Sequence, residues 1–197
     1  MRICFVGDSF VNGTGDPECL GWAGRVCRTA CQQGHDLTAY NLGVRRDTSD
    51  DIRARWRSEV DCRSSQGEDN RLVFAFGTND TTAVAGQLRV PPDRSVQNAE
   101  AILIQAQETH PVLMISPAPV ANDALQNDRT LRLAARYQAL CDRLTIPYLD
   151  VFTPLLNSPV WMTEAAQFDG AHPRAKGYQV YADLVEQWSA WRSWFAP

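Results

Sequence analysis

Five short apolar runs, each of strand length and separated by segments of helical period, constrain this chain more than any other feature. The runs are Ile3 to Val6, Leu37 to Leu42, Leu72 to Phe76, Val112 to Ile115 and Tyr148 to Phe152. Between and after them, helical patterns are expected over Trp22 to Gln33, Ser49 to Val60, Asp93 to Glu108, Thr130 to Leu144 and Ala175 to Phe195. Local punctuation agrees: Gly34 stands where a helix C-terminus needs it, and Thr48 with Asp51 makes a capping-box pattern. Strands alternating with helices predict an α/β fold, a three-layer α/β/α sandwich around a mainly parallel five-stranded sheet. Loops are expected over Asp61 to Asn70 and Thr81 to Pro92, with no repeat or interdomain linker, so residues 1–197 are read as one domain.

Charge and hydropathy exclude several classes. Nineteen Lys and Arg against 23 Asp and Glu leave a net charge of −4, which gives no basic surplus for nucleic acid or anionic lipid. The apolar runs fall far short of the roughly 18 residues that span a bilayer, so no integral membrane association is expected. The start, MRICFVGDS, lacks an extended apolar region and a small-residue cleavage site, so a cytoplasmic protein without a signal peptide is expected. Cysteines 4, 19, 27, 31, 62 and 141 are read as reduced. Cys27 and Cys31 are helically spaced, but nothing completes a tetrahedral set, so no metal is expected.

The chemistry sits just beyond the strands. Gly7-Asp8-Ser9 follows the first, Gly43 the second, and Gly77-Thr78-Asn79-Asp80 the third. In an open α/β sheet ligands bind beyond the carboxyl ends of the strands, so these groups converge. Ser9 at a strand-to-loop turn can expose its hydroxyl as a nucleophile, which needs a base and an orienter for that base. Of the three histidines, His35 and His110 precede strands and belong to the opposite edge of the sheet, which leaves His172. Asp169 lies three residues before His172, close enough for one tight turn to join carboxylate and imidazole. Asp8 and Asp80 are read as loop-tying hydrogen-bond acceptors. Gly7, Gly13 and Gly15 match neither a dinucleotide fingerprint nor a P-loop.

Gly7-Asp8-Ser9, Asn41-Leu42-Gly43, Gly77-Thr78-Asn79-Asp80 and Asp169-Gly170-Ala171-His172-Pro173 together resemble the four blocks of the GDSL or SGNH hydrolases, in order and across nearly the whole chain. The resemblance implies a flavodoxin-like sheet of order 2-1-3-4-5 and a cofactor-free ester hydrolase of lipase or esterase type. It implies Ser9 as nucleophile, His172 as general base and acid, and Asp169 as orienter. The implied oxyanion donors are the backbone N–H of Ser9, the backbone N–H of Gly43 and the side-chain amide of Asn79. The implied partner is a small-molecule ester. Thioesterases and sugar-ester deacetylases belong to the same family, and a non-catalytic binding domain for a carboxylate or acetylated ligand is the rival from another class.

The sequence departs from the family at Phe10, where Leu is usual, and at Arg46, where a second glycine is frequent and where Arg would strain a glycine turn. Arg45 or Arg46 is expected either to reach the pocket mouth and favour an anionic substrate, or to pair on the surface with Asp50 or Asp51. The aromatic stripe of Trp188, Trp191 and Trp194 is expected to pack on the core or to form a homo-oligomer contact.

Overall fold

In parallel sheets buried on both sides, successive residues of the inner strands must face apolar helices above and below, and that pattern is what the three central strands of the computed structural model display. The structure describes residues 1–64 and 67–196. In chain order the elements are β1 (Arg2–Gly7), α1 (Ser9–Asn12), α2 (Gly21–Gln32), β2 (Thr38–Gly43), α3 (Ser49–Asp61), β3 (Asn70–Ala75), β4 (Ala83–Val84), β5 (Gln87–Leu88), α4 (Pro92–Gln107), β6 (Val112–Ile115), α5 (Ala124–Leu144), β7 (Tyr148–Leu149), α6 (Phe152–Leu156), α7 (Pro159–Gln167), α8 (Ala175–Gln187) and α9 (Ser189–Ser193).

The main sheet runs β2-β1-β3-β6-β7 with every pairing parallel. Counting only these five strands, that is the order 2-1-3-4-5, and the three-layer reading holds. β1 shows how one strand feeds two cores. Ile3 and Phe5 enter a cluster with Trp22, Trp161, Tyr178 and Tyr181, whereas Cys4 and Val6 enter one with Ile52, Trp56, Leu103 and Tyr137. The ladder aligns Gly7 with both Gly43 and Ala75, so the first three strands end level with one another. The chain leaves each strand at the same height. Two of these ends require glycine, because a Cβ on Gly7 would lie 2.0 Å from the Ala75 carbonyl oxygen and one on Gly43 would lie 2.1 Å from Asn12 N.

Several expected elements are corrected. Part of the expected 81–92 loop is a hairpin, β4 with β5, turning on Ala85 and Gly86, both at positive φ as a type I′ turn demands. The expected 61–70 loop is entered by the end of α3 and by the start of β3; its residues 65 and 66 lie outside the described residues. α5 begins two turns early, capped by Asp123, whose side chain accepts from Gln126 N. β7 is two residues long, since Ser116 Oγ takes the next free N–H groups, those of Val151 and Phe152. The last helix breaks at Trp188, whose ψ of 125° is extended, and this turns Trp191 onto Phe5 and Phe195. Among the described residues, no helix is long and apolar enough to cross a membrane.

Candidate active site

Asp8 caps the four-residue α1 by accepting the N–H of Phe10, 3.0 Å away, and this cap sets Ser9 at the first helical position. A residue there has no intrahelical acceptor for its N–H. At the other end of the chain, Asp169 Oδ1 accepts the N–H groups of Ala171 and His172 at 3.0 and 2.9 Å, folding 169–172 into a tight turn. The turn presents Asp169 Oδ2 to His172 Nδ1 at 2.7 Å, and His172 Nε2 faces Ser9 Oγ at 2.7 Å. Ser9 and His172 are only 3% and 7% exposed. Phe10 supports the imidazole from behind, with its ring centroid 4.9 Å away. His35, against Phe195, and His110, beside Ser64 and Thr109, stand at the amino ends of their strands and take no part.

Burial drives the His172 imidazole below its ordinary pKa, with the Arg45 cation pushing the same way against the raising effect of Asp169. The ring is therefore neutral at pH 7 and able to accept a proton. Burial also raises the Asp169 carboxyl, but hydrogen bonds from the N–H and ring of His172 and the N–H of Ala171 outweigh it and hold the group below the usual carboxylate range. Asp8, fully enclosed, is pushed up to about 7, chiefly by burial and further by the charges of Asp80 and Asp47.

Asn79 comes to the same edge. Its Nδ2 donates to the Asp47 carbonyl at 2.9 Å and lies 3.4 Å from Asp8 Oδ2. Gly43 arrives through the β1–β2 register, with its N–H 2.9 Å from Asn41 Oδ1, while Asn41 Nδ2 reaches the Val11 carbonyl at 2.8 Å. Asp80 is buried and accepts from Ser49 N and Ser95 Oγ, tying the starts of α3 and α4 to the loop after β3.

The two arginines separate. Arg45 pairs with Asp169 Oδ2 at 3.4 Å, the oxygen that also meets His172. Neither expected pairing with Asp50 or Asp51 forms, because Asp50 is taken by Arg94 and Asn98, and Asp51 by its own capping box. Arg46 sits at φ 74°, in the left-handed region, and its carbonyl accepts from Arg89.

The four blocks thus meet at one edge of the sheet, and the chain matches the GDSL-like lipase/acylhydrolase family over residues 5–180. The chain belongs to that family. The fold of this GDSL-family protein is also that of a lipase/acylhydrolase from Enterococcus faecalis, at 22% identity and TM-score 0.76 over 93% of this chain and 92% of that one. An acetylxylan esterase from Geobacillus stearothermophilus aligns at 14% identity and TM-score 0.77, over 93% and 91%. A GDSL-family lipolytic protein from Veillonella parvula aligns at 17% and TM-score 0.75, over 95% and 97%. A comparison with curated proteins returns no match. Among the described residues of this GDSL hydrolase, no group of three or more His, Cys, Asp and Glu side chains is arranged to hold a metal.

Sequence reasoning passed over Arg55. It lies beside the buried α3 stripe of Ile52, Trp56 and Val60, and a charged residue at the border of such a stripe was the available signal.

Proposed function

We propose that this protein hydrolyses carboxylic esters through an acyl-enzyme formed on Ser9. The observation that carries the reading is the unbroken relay of two 2.7 Å contacts from Ser9 Oγ through His172 to Asp169. Ser9 Oγ attacks the ester carbonyl carbon while His172 Nε2 takes the hydroxyl proton. The carbonyl oxygen becomes an oxyanion that the Ser9 N–H stabilises, joined by the Asn79 N–H that leaves Asp8 Oδ2 and by the Gly43 N–H once the oxyanion replaces Asn41 Oδ1 as its acceptor. The carbon–oxygen bond to the alcohol breaks as His172 returns its proton to the leaving oxygen. Water then adds to the acyl-enzyme by the same proton transfers, releasing the acid and restoring Ser9.

A short acyl group suits the site. α7 is no lid, since Trp161 and Ala165 are buried in the core. An acetyl or similarly small ester is the class we assign, the ester class named for the acetylxylan esterase neighbour.

Treatment with a fluorophosphonate should place one adduct on Ser9, and aryl esters from two to twelve carbons should be cleaved fastest at the short end. Ser9→Ala should abolish both, with turnover falling by roughly 10⁶-fold. Full ester turnover by Ser9→Ala would overturn the reading. Tight carboxylate binding with neither adduct nor turnover would replace it with a non-catalytic binding domain.

A further inference from the structure

We propose that Arg55 of α3 is the positioning residue for the oxyanion donors, a role that rests on the reading of the site as an ester hydrolase. Its guanidinium, on a side chain 18% exposed, makes four contacts at the carboxyl edge of the sheet. Nη2 donates to the Gly7 carbonyl at 2.9 Å, and Nη1 to the Leu42 carbonyl at 3.0 Å and to Glu59 at 3.2 Å. Nε donates to Asp47 Oδ2 at 2.6 Å.

Each of the first, second and fourth of these acceptors belongs to a donor-bearing segment. The Leu42 carbonyl and the Gly43 N–H are one planar peptide unit, so gripping the oxygen fixes the direction in which the N–H points. The Gly7 carbonyl belongs to the peptide that leads into Asp8, one residue before Ser9. Asp47 supplies the main-chain oxygen that receives the Asn79 amide. Beyond Gly7 and Gly43 the ladder makes one more rung, from the Val44 N–H to the Gly7 carbonyl at 3.1 Å, and one planar fork shares that acceptor and joins the blocks that carry Ser9, Gly43 and Asn79. Lysine offers a single nitrogen on a flexible stem and cannot span acceptors lying in these separate directions. A displacement near 1 Å at such a site is enough to cost about 10²-fold in rate.

The test compares wild type, Arg55→Lys and Arg55→Met by steady-state kinetics on an aryl acetate, thermal unfolding, and ¹⁵N NMR of the Gly43 amide and the Asn79 side-chain amide. Both variants should lower kcat by about ten- to a hundredfold with KM within about threefold. Both should displace the two resonances, and Lys should not rescue. A purely structural residue would instead lower the unfolding midpoint while the folded enzyme kept its kcat. Arg55→Lys turning over within about twofold of wild type, or with Gly43 and Asn79 resonances in place, overturns the proposal; that variant decides even if Arg55→Met fails to fold. Should wild type cleave no ester, the hydrolase reading fails on its own, and the resonances alone then uphold or overturn the positioning by Arg55.

Discussion

Asp169 meets two donors through one oxygen, the His172 ring at 2.7 Å and the Arg45 cation at 3.4 Å. The pair with Arg45 is exposed, so it adds little stability, but its charge acts on the proton affinity of His172. Because burial and Arg45 both lower that affinity, kcat/KM for a neutral aryl ester should rise along an acid limb centred below the ordinary histidine value of about 6.5. Removing the cation raises the His172 pKa, so Arg45→Gln should move this limb to higher pH. Activity falls on the acid side and is unchanged near pH 8. An unmoved limb in a pH–rate profile would remove Arg45 from the proton chemistry. The same sign governs folding: a histidine held neutral in the native state gives up stability as pH falls from about 6.5 toward its depressed folded pKa. Arg46 poses a backbone question instead. Its φ of 74° is strained for a residue with a Cβ, while its contact with Arg89 uses only its carbonyl. Arg46→Gly should therefore stabilise by about 1 kcal/mol, raising the unfolding midpoint by roughly 2–4 °C, and a drop in the calorimetric midpoint would contradict the strain.

Among the helices, α1 is the shortest, and Gly43 lies close at its back. Gly43→Ala would drive a Cβ into Asn12 N at 2.1 Å, forcing α1 off β2 and Ser9 away from His172. Folding should weaken by several kcal/mol, as overpacking does, and ester turnover should fall even below the melting range; a variant with wild-type kcat would show that α1 can shift without cost. Such close approaches explain what sequence could and could not disclose. β1, β6 and α3 were legible because a run of apolar residues or a capping box is a local signal, and Asp169 and His172 were legible because one turn joins them. The first two turns of α5 carry Leu125 exposed among polar residues, so they have no apolar period, and only the Asp123 cap announces them. α7 was missed although Ser158 caps it and Pro159 opens it, because its buried Trp161 and Ala165 are too few to make a stripe. The contacts of Arg55 with Gly7, Leu42 and Asp47 span up to 48 residues of chain, and no local pattern encodes them.

Two cores flank the sheet, and an aromatic column runs through one of them to the site. Trp22 stacks on Tyr181 at 4.9 Å, Trp161 lies 5.9 Å from Tyr181 and stacks on Phe10 at 5.8 Å, and Phe10 backs His172. The opposite core, around Leu103 and Tyr137, touches the loops that carry Asp80 but not the imidazole. Equal losses of packing on the two faces should thus have unequal consequences. Trp161→Ala removes the middle of the column and the hydrogen bond from its indole to the Pro119 carbonyl, and should cost about 3–5 kcal/mol. Leu103→Ala, fully buried on the other face, should cost about 2–5 kcal/mol. Because domains of this kind carry about 5–15 kcal/mol of stability, the comparison is made in the cold, with the folded fraction of each variant checked by circular dichroism. Assayed there, Trp161→Ala should lose about tenfold in kcat as Phe10 and His172 gain freedom, Trp161→Phe should recover most of it, and Leu103→Ala should match wild type. Parallel losses of kcat in the two alanine variants would mean that the site senses overall stability and not the column, and the one-sided coupling would have to be given up.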